Sequence, residues 1–161
     1  MAATQRIAQV SRVDAPIEKV WAAITSFEGI NAELRPYLRM TVPRGACGRT
    51  IADAEPGITL GRSYILLFGG LPIDADTIGI AEIDPGRRFR EESTMVSMRV
   101  WVHERALRAL DDGRTEVTDV VHFTPRAPLG LIPGWGSLLR SALAFVFRHR
   151  HRRLQETLGA A

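Results

Sequence analysis

The chain has a single cysteine, Cys47, in 161 residues. No disulfide can therefore form within this sequence, and a reducing cytoplasmic location fits. Long apolar runs are missing too. The best candidate, residues 138–147, is interrupted by Arg140 and Ser141 and falls far short of the roughly twenty residues a bilayer span requires. Residues 1–10 contain no apolar core of signal-peptide length, so the expectation is a cytoplasmic protein with no membrane span. An excess of one charge is nearly absent: 21 basic residues stand against 18 acidic ones, for a net +3. That balance gives no reason to expect a nucleic-acid partner. Catalytic signatures are absent as well. There is no glycine-rich phosphate loop ending in Gly-Lys-Ser/Thr, no Gly-x-Gly-x-x-Gly, no Gly-x-Ser-x-Gly and no His-Glu-x-x-His. No cofactor is expected, and any catalysis would rest on acid–base side chains. No metal site is expected either, because His149 and His151 are two apart and diverge on a helix, and Cys47 has no ligand partner nearby in sequence. The sequence holds no repeat and no low-complexity tract.

What is present suffices for one domain with a real core: 45% hydrophobic and 24% charged residues over this length. Residues 5–13 read as a first strand, although neither face is cleanly apolar. Pro16 then suits the first position of a helix, with Asp14 as its cap and Ile17, Val20, Trp21 and Ile24 on one stripe. A second short helix is expected over residues 30–37, with Gly29 as the break before it and Pro36 ending it. Strands dominate afterwards, at 38–42, 61–68, 74–83, 87–95, 100–110 and 115–124, punctuated by Gly69-Gly70-Leu71-Pro72 and Asp84-Pro85-Gly86. Residues 43–60 are the least legible stretch. The prolines of 125–133 exclude regular structure there. A long helix follows over 135–158, with Leu139, Leu143, Val146, Phe147, Leu154 and Leu158 on one face and Ser141, Arg148 and Arg152 opposite.

The hairpin of residues 100–124 is the most informative segment. Taking Asp111-Asp112-Gly113 as a three-residue loop with Gly113 left-handed sets Leu110 opposite Arg114. One face then collects Trp101, His103, Arg105, Leu107, Val117, Asp119, Val121 and Phe123. The other collects Glu104, Arg108, Arg114, Glu116, Thr118, His122 and Thr124, which belong in water. Arg105 falls directly opposite Asp119, so a charged pair survives among apolar neighbours. A two-residue Asp112-Gly113 turn is the competing register. It ranks second because it leaves more charge without an opposite partner.

The order of one strand, two short helices, about six antiparallel strands and a long final helix is that of the helix-grip fold, an α+β architecture in which a curved sheet of about seven strands wraps around the last helix. The chain resembles the START-like, or SRPBCC, superfamily, and within it the bacterial polyketide cyclase/dehydrase and lipid-transport group. The residues that carry the likeness are Ala15-Pro16-Ile17-Glu18-Lys19-Val20-Trp21, Trp101-Val102-His103, Gly113-Arg114-Thr115-Glu116-Val117-Thr118-Asp119 with Phe123 and Pro125, and residues 147–154. It spans nearly the whole chain, but most of its motifs mark the fold rather than one chemistry. The resemblance implies a single ligand-binding domain over residues 1–161 that holds a hydrophobic or amphipathic small molecule between sheet and helix. Only some members catalyse a reaction.

The expected cavity is lined by Trp101, His103, Arg105, Leu107, Asp119, Val121 and Phe123, with His103 as hydrogen-bonding group or proton shuttle. His103, Arg105 and Asp119 either grip the polar end of a greasy ligand or form an ion pair that merely fixes the hairpin. Glu91 and Ser93 alternate with Phe89 and Met95 and are candidate wall residues. Asp76 stands in the same relation to Ile78 and Ile80. Arg150 lies in the apolar stripe of the last helix. It either meets an acidic ligand or wall residue, or packs its stem on the core with its head in water, as long side chains routinely do. The run Arg148-His149-Arg150-His151-Arg152-Arg153 is read chiefly as a solvated helix end that suits the helix dipole. Three functions remain open: a small-molecule binder, a cyclase or dehydratase with His103 as general base and candidate catalytic residue, and an interaction module using the basic last helix. The oligomeric state is not legible.

Overall fold

The computed structural model describes residues 3–159. Strand β1 (Gln5–Val13) leads into helices α1 (Ile17–Thr25) and α2 (Phe27–Leu34). Strands β2 (Leu38–Met40), β3 (Thr59–Leu67), β4 (Leu71–Asp84), β5 (Arg88–Met95), β6 (Met98–Ala109) and β7 (Thr115–Pro125) follow, and helix α3 (Trp135–Leu158) closes the fold. The seven strands form one antiparallel sheet in the order β1-β7-β6-β5-β4-β3-β2. Register shifts in the β3/β4, β4/β5 and β6/β7 pairs interrupt the ladder, and such bulges bend strands enough to let a sheet curl around a helix. This is the helix-grip arrangement that the element order predicts.

The hairpin register is the three-residue one. Leu110 N–H donates to Arg114 O at 2.8 Å, Gly113 has φ +80°, and Arg105 pairs with Asp119. Of the face expected in water, Thr124 departs: it is fully buried and its hydroxyl meets that of Thr4 at 2.9 Å. The helices depart more. Asp14 does not cap α1, which starts one residue after Pro16. The second helix runs over Phe27–Leu34, three residues earlier than expected, because Ser26 caps it by accepting from Gly29 N–H at 3.0 Å. Gly29 therefore belongs to the first turn of α2 and is no break. A Cβ there would lie 1.9 Å from Ala23 O, so only glycine lets the two helices approach this closely. Residues 43–60 contain two short 3-10 turns, Arg44–Ala46 and Ile51–Asp53.

Apolar side chains gather in two clusters. One joins α1, α2 and Leu154 of α3 to Val13, Ile78, Ile80, Phe89, Leu107 and Val117 of the sheet. The other joins Phe147 of α3 to Ile7, Met95, Met98, Val121 and Phe123. The inner faces of the strands change character at one height. In β6, His103 and Arg105 separate Trp101 from Leu107; in β7, Asp119 separates Val121 from Val117; in β5, Glu91 and Ser93 separate Phe89 from Met95. A belt of charge thus crosses the interior between two greasy halves.

A candidate ligand site in a buried charge belt

Asp119 is the centre of the belt. It is 1% exposed, and Oδ1 accepts from His103 Nε2 at 2.7 Å and Arg105 Nε at 2.8 Å. Oδ2 accepts from Arg105 Nη2 at 2.6 Å and from His151 Nε2 at 2.7 Å. Arg105, fully buried, turns its remaining edge to Glu33 of α2, with Nη1 at 2.8 and 2.9 Å from the two carboxylate oxygens. Arg150 of α3 reaches the same carboxylate through Nε at 3.0 Å and lays its guanidinium over the Phe147 ring, 5.1 Å from the centroid. Sheet, α2 and α3 are therefore tied through one set of charges.

His103 lies between two carboxylates. Nε2 meets Asp119, and Nδ1 is 3.6 Å from Glu91 Oε2, while Phe89 and Phe147 stand edge-on to the ring. Glu91 Oε1 accepts from the Ser93 hydroxyl at 2.6 Å. Burial alone would strip the His103 proton, but the hydrogen bond and charge of Asp119, then the nearby carboxylate of Glu91, outweigh it and raise the pKa above the ordinary histidine value. Burial likewise pushes Asp119 up, and the charge and hydrogen bonds of Arg105 and His103 overcome it, holding the carboxyl well below the usual range. Glu91 is also lowered, burial being outweighed by His103 and Ser93. Asp76, 3% exposed, has no such cation. Burial first, and the Glu91 charge second, push it up to about 9. Its Oδ1 has no hydrogen-bond partner.

Among the described residues, two concavities matter. A void of about 40 Å³ lies inside the fold, lined by Glu91, His103 and Arg150 on one side and by Ile24, Phe27, Ile30, Met40, Ile51, Ile78 and Phe89 around them. It has room for a few atoms at most. A larger concavity of about 340 Å³ opens to solvent between β1 and the first half of α3, lined by Gln5, Ser137, Arg140, Ser141, Ala144 and Arg148. The buried charges do not reach it, so the smaller void is the one with chemistry.

Of the residues expected to line a cavity, His103, Glu91 and Arg150 border this void. Ser93 is half-buried and bonded to Glu91. Arg105 and Asp119 are adjacent and buried but fully engaged with each other and their partners. Leu107 packs in the first apolar cluster, Val121 and Phe123 in the second, with Trp101 against its edge. Arg150 points inward to Glu33 rather than keeping its head in water. The basic run of α3 is not simply a solvated helix end: His149, Arg150 and His151 are buried while Arg148 and Arg152 are exposed. His149 Nε2 donates to Arg35 O at 2.7 Å, whereas His151 faces Asp119 and, through Nδ1, the Ser11 hydroxyl at 2.5 Å. The two rings diverge, and the described residues contain no group with metal-binding arrangement.

Glu33 and His151 are the belt residues that sequence reasoning missed. His151 was readable, since Phe147, Arg150, His151 and Leu154 recur at helical spacing on one face. For Glu33 the signal was Ser26 as a cap, which sets Phe27, Ile30 and Leu34 inward and brings Glu33 with them.

What this arrangement can do follows from its protonation. A histidine gripped by two carboxylates gives hydrogen bonds rather than taking protons, and the carboxylates facing it are acceptors.

No curated protein matches the sequence. Among solved structures, the protein CV1439 of Chromobacterium violaceum is 19% identical with a TM-score of 0.70, over 98% of this chain and 99% of that one. The Zhui aromatase/cyclase of Streptomyces sp. R1128 is 14% identical with a TM-score of 0.72, over 96% and 93%. A START superfamily protein of Mycobacterium smegmatis is 11% identical with a TM-score of 0.67, over 95% and 96%. At such identities the likeness is one of fold. The fold is START-like, and with residues 11–158 matching its model, the chain belongs to the family described as a domain of unknown function, DUF8410.

Proposed function

We propose that the chain is a small-molecule binding protein of the cytoplasm, one ligand-binding domain over residues 1–161. It takes a hydrophobic or amphipathic molecule into the space between the sheet and α3. His103, Glu91 and Arg150 orient the polar end, Ser93 fixes Glu91, Arg105 and Asp119 hold His103 in place, and Trp101, Leu107, Val121 and Phe123 pack behind them. The observation that carries this reading is the void in which three charged side chains face seven apolar ones, the usual composition of a ligand site. The void as it stands admits only the polar end. Room for the hydrocarbon comes from the Ile51–Asp53 turn, whose bonds are internal: Thr50 N–H and hydroxyl to Asp53 Oδ2 at 2.8 and 3.0 Å, and Ala54 N–H to Ile51 O at 3.0 Å. Swinging that turn outward breaks none of them and costs only the burial of Ile51, which is 4% exposed in the first apolar cluster.

Native mass spectrometry of the purified protein tests the reading, together with displacement of a fluorescent apolar probe. A co-purifying small molecule, or probe binding that His103→Gln weakens, is the expected result. An interior that binds nothing would defeat the proposal.

A second reading, a cyclase or dehydratase, is favoured by one observation: His103 is a buried proton donor bordering the void. It would then act as general acid toward a leaving hydroxyl rather than as general base. His103→Ala must in that case abolish turnover while the fold survives.

A further inference from the structure

The belt is closed to new partners almost everywhere. Asp119 already accepts four hydrogen bonds, and both oxygens of Glu33 are taken by Arg105 and Arg150. Asp76 Oδ1 has no partner, Arg150 gives Glu33 only its Nε, and a third opening borders the void. His103 has spent Nε2 on Asp119 and Glu91 has spent Oε1 on Ser93. Nδ1 of the one and Oε2 of the other stand 3.6 Å apart, too far for a good hydrogen bond between them. An N–H donor and a carboxylate acceptor are thus presented side by side, next to carbon-lined space.

The charges of the belt are equally complete. Arg105, Arg150 and His103 are matched by Asp119, Glu33 and Glu91, each cation in contact with at least one of the carboxylates. His151 contacts Asp119 through Nε2 and the Ser11 hydroxyl through Nδ1. Asp76, with its proton held by burial, adds no charge at neutral pH. A carboxylate or ammonium entering this space would add a charge to a set already matched, and an unmatched buried charge is unfavourable.

Building on the ligand-binding reading above, we propose that the ligand is uncharged and is recognised through a hydroxyl group seated between His103 Nδ1 and Glu91 Oε2. A hydroxyl both accepts and donates, as this pair requires. An ether accepts without donating, and an ammonium donates without accepting. The Ile24, Phe27, Ile30 and Phe89 side chains then take the carbon that bears the hydroxyl.

The test is calorimetric titration at pH 7 with matched probes in two skeletons: 1-octanol, heptyl methyl ether, octanoate and octylammonium, and 2-naphthol, 2-methoxynaphthalene, 2-naphthoate and 2-naphthylmethylammonium. In at least one skeleton the alcohol binds about tenfold or more tightly than each of its three analogues, equivalent to ~1.4 kcal/mol. Glu91→Gln, which keeps the shape and removes one negative charge, shifts the carboxylate-to-alcohol ratio toward the carboxylate by about tenfold. If in both skeletons a carboxylate, an ammonium or an ether binds the natural protein within about tenfold of the alcohol or more tightly, the hydroxyl assignment is overturned while a ligand-binding protein remains, as it is by an unchanged ratio in a folded Glu91→Gln variant. Should that variant not fold, the eight probes on the natural protein decide alone. If none of the eight binds, the ligand-binding reading falls and this one with it.

Discussion

Replacing Asp119 by asparagine tests the belt where it is most loaded. The side chain keeps its size but loses the charge that compensates Arg105 and His103, and the amide NH2 is turned against donors at 2.6–2.8 Å. Every atom involved is inside the protein: Arg105 is 0% exposed and Asp119 1%. Water cannot replace the lost acceptor, so the cost is that of a broken buried ion pair, ~3–5 kcal/mol. A domain of this size has only about 5–15 kcal/mol in total. At an m-value of about 2 kcal/mol/M, the urea midpoint falls by roughly 2 M. Equilibrium unfolding followed by tryptophan fluorescence and far-ultraviolet circular dichroism measures it, with Glu116→Gln as the control. Glu116 meets Arg108 at 2.8 Å and Arg12 at 3.7 Å, both arginines being exposed, and its loss lowers the midpoint by about 0.5 M at most. If Asp119→Asn behaves like that control, Arg105 has found water or another anion, and the account of a closed belt is wrong.

Asp76 gives the pH dependence. Burial holds its folded pKa at about 9, far above the ordinary aspartate value, so between those values the folded state holds a proton that the unfolded chain has released, and stability declines as pH rises. Asp76→Asn flattens the stability curve over that window in urea titrations at pH 5, 7 and 9; parallel curves for variant and natural protein would contradict the assignment. His103, also raised, titrates above the ordinary histidine value by nitrogen NMR, and a ring that titrates at or below 6.5 would refute its placement between two working carboxylates. Gly29→Ala, whose methyl would sit 1.9 Å from Ala23 O, destabilises by at least ~1–3 kcal/mol through overpacking, read as a lowered melting temperature. The neighbouring exposed Ala22 tolerates serine without such a loss.

Much of the fold was legible because its signals are local. Gly113 in a three-residue loop determines the β6/β7 register, and the alternation of the two strands then places His103, Arg105, Asp119 and Phe123 indoors. The limits of α3 follow from its apolar stripe and the prolines ahead of it. The misplacement of α2 arose because Gly29 was read as a helix breaker, when its lack of a side chain answers to Ala23 across a helix–helix contact. The basic run of α3 misled for a similar reason. Charge suggests water, and only the carboxylates of Glu33 and Asp119, supplied by α2 and β7, make the interior hospitable to Arg150 and His151.

The sequence by itself determined the order of elements, the sheet pairing of the central hairpin and the meeting of Arg105 with Asp119, because turn chemistry and period-two alternation act between near neighbours. Tertiary structure alone decided which charges complete that pair, how small the void is and which side chains border it. Those depend on how closely α1, α2 and α3 approach the sheet, a matter of packing between residues as far apart as Glu33 and Arg150, and no local pattern carries that distance.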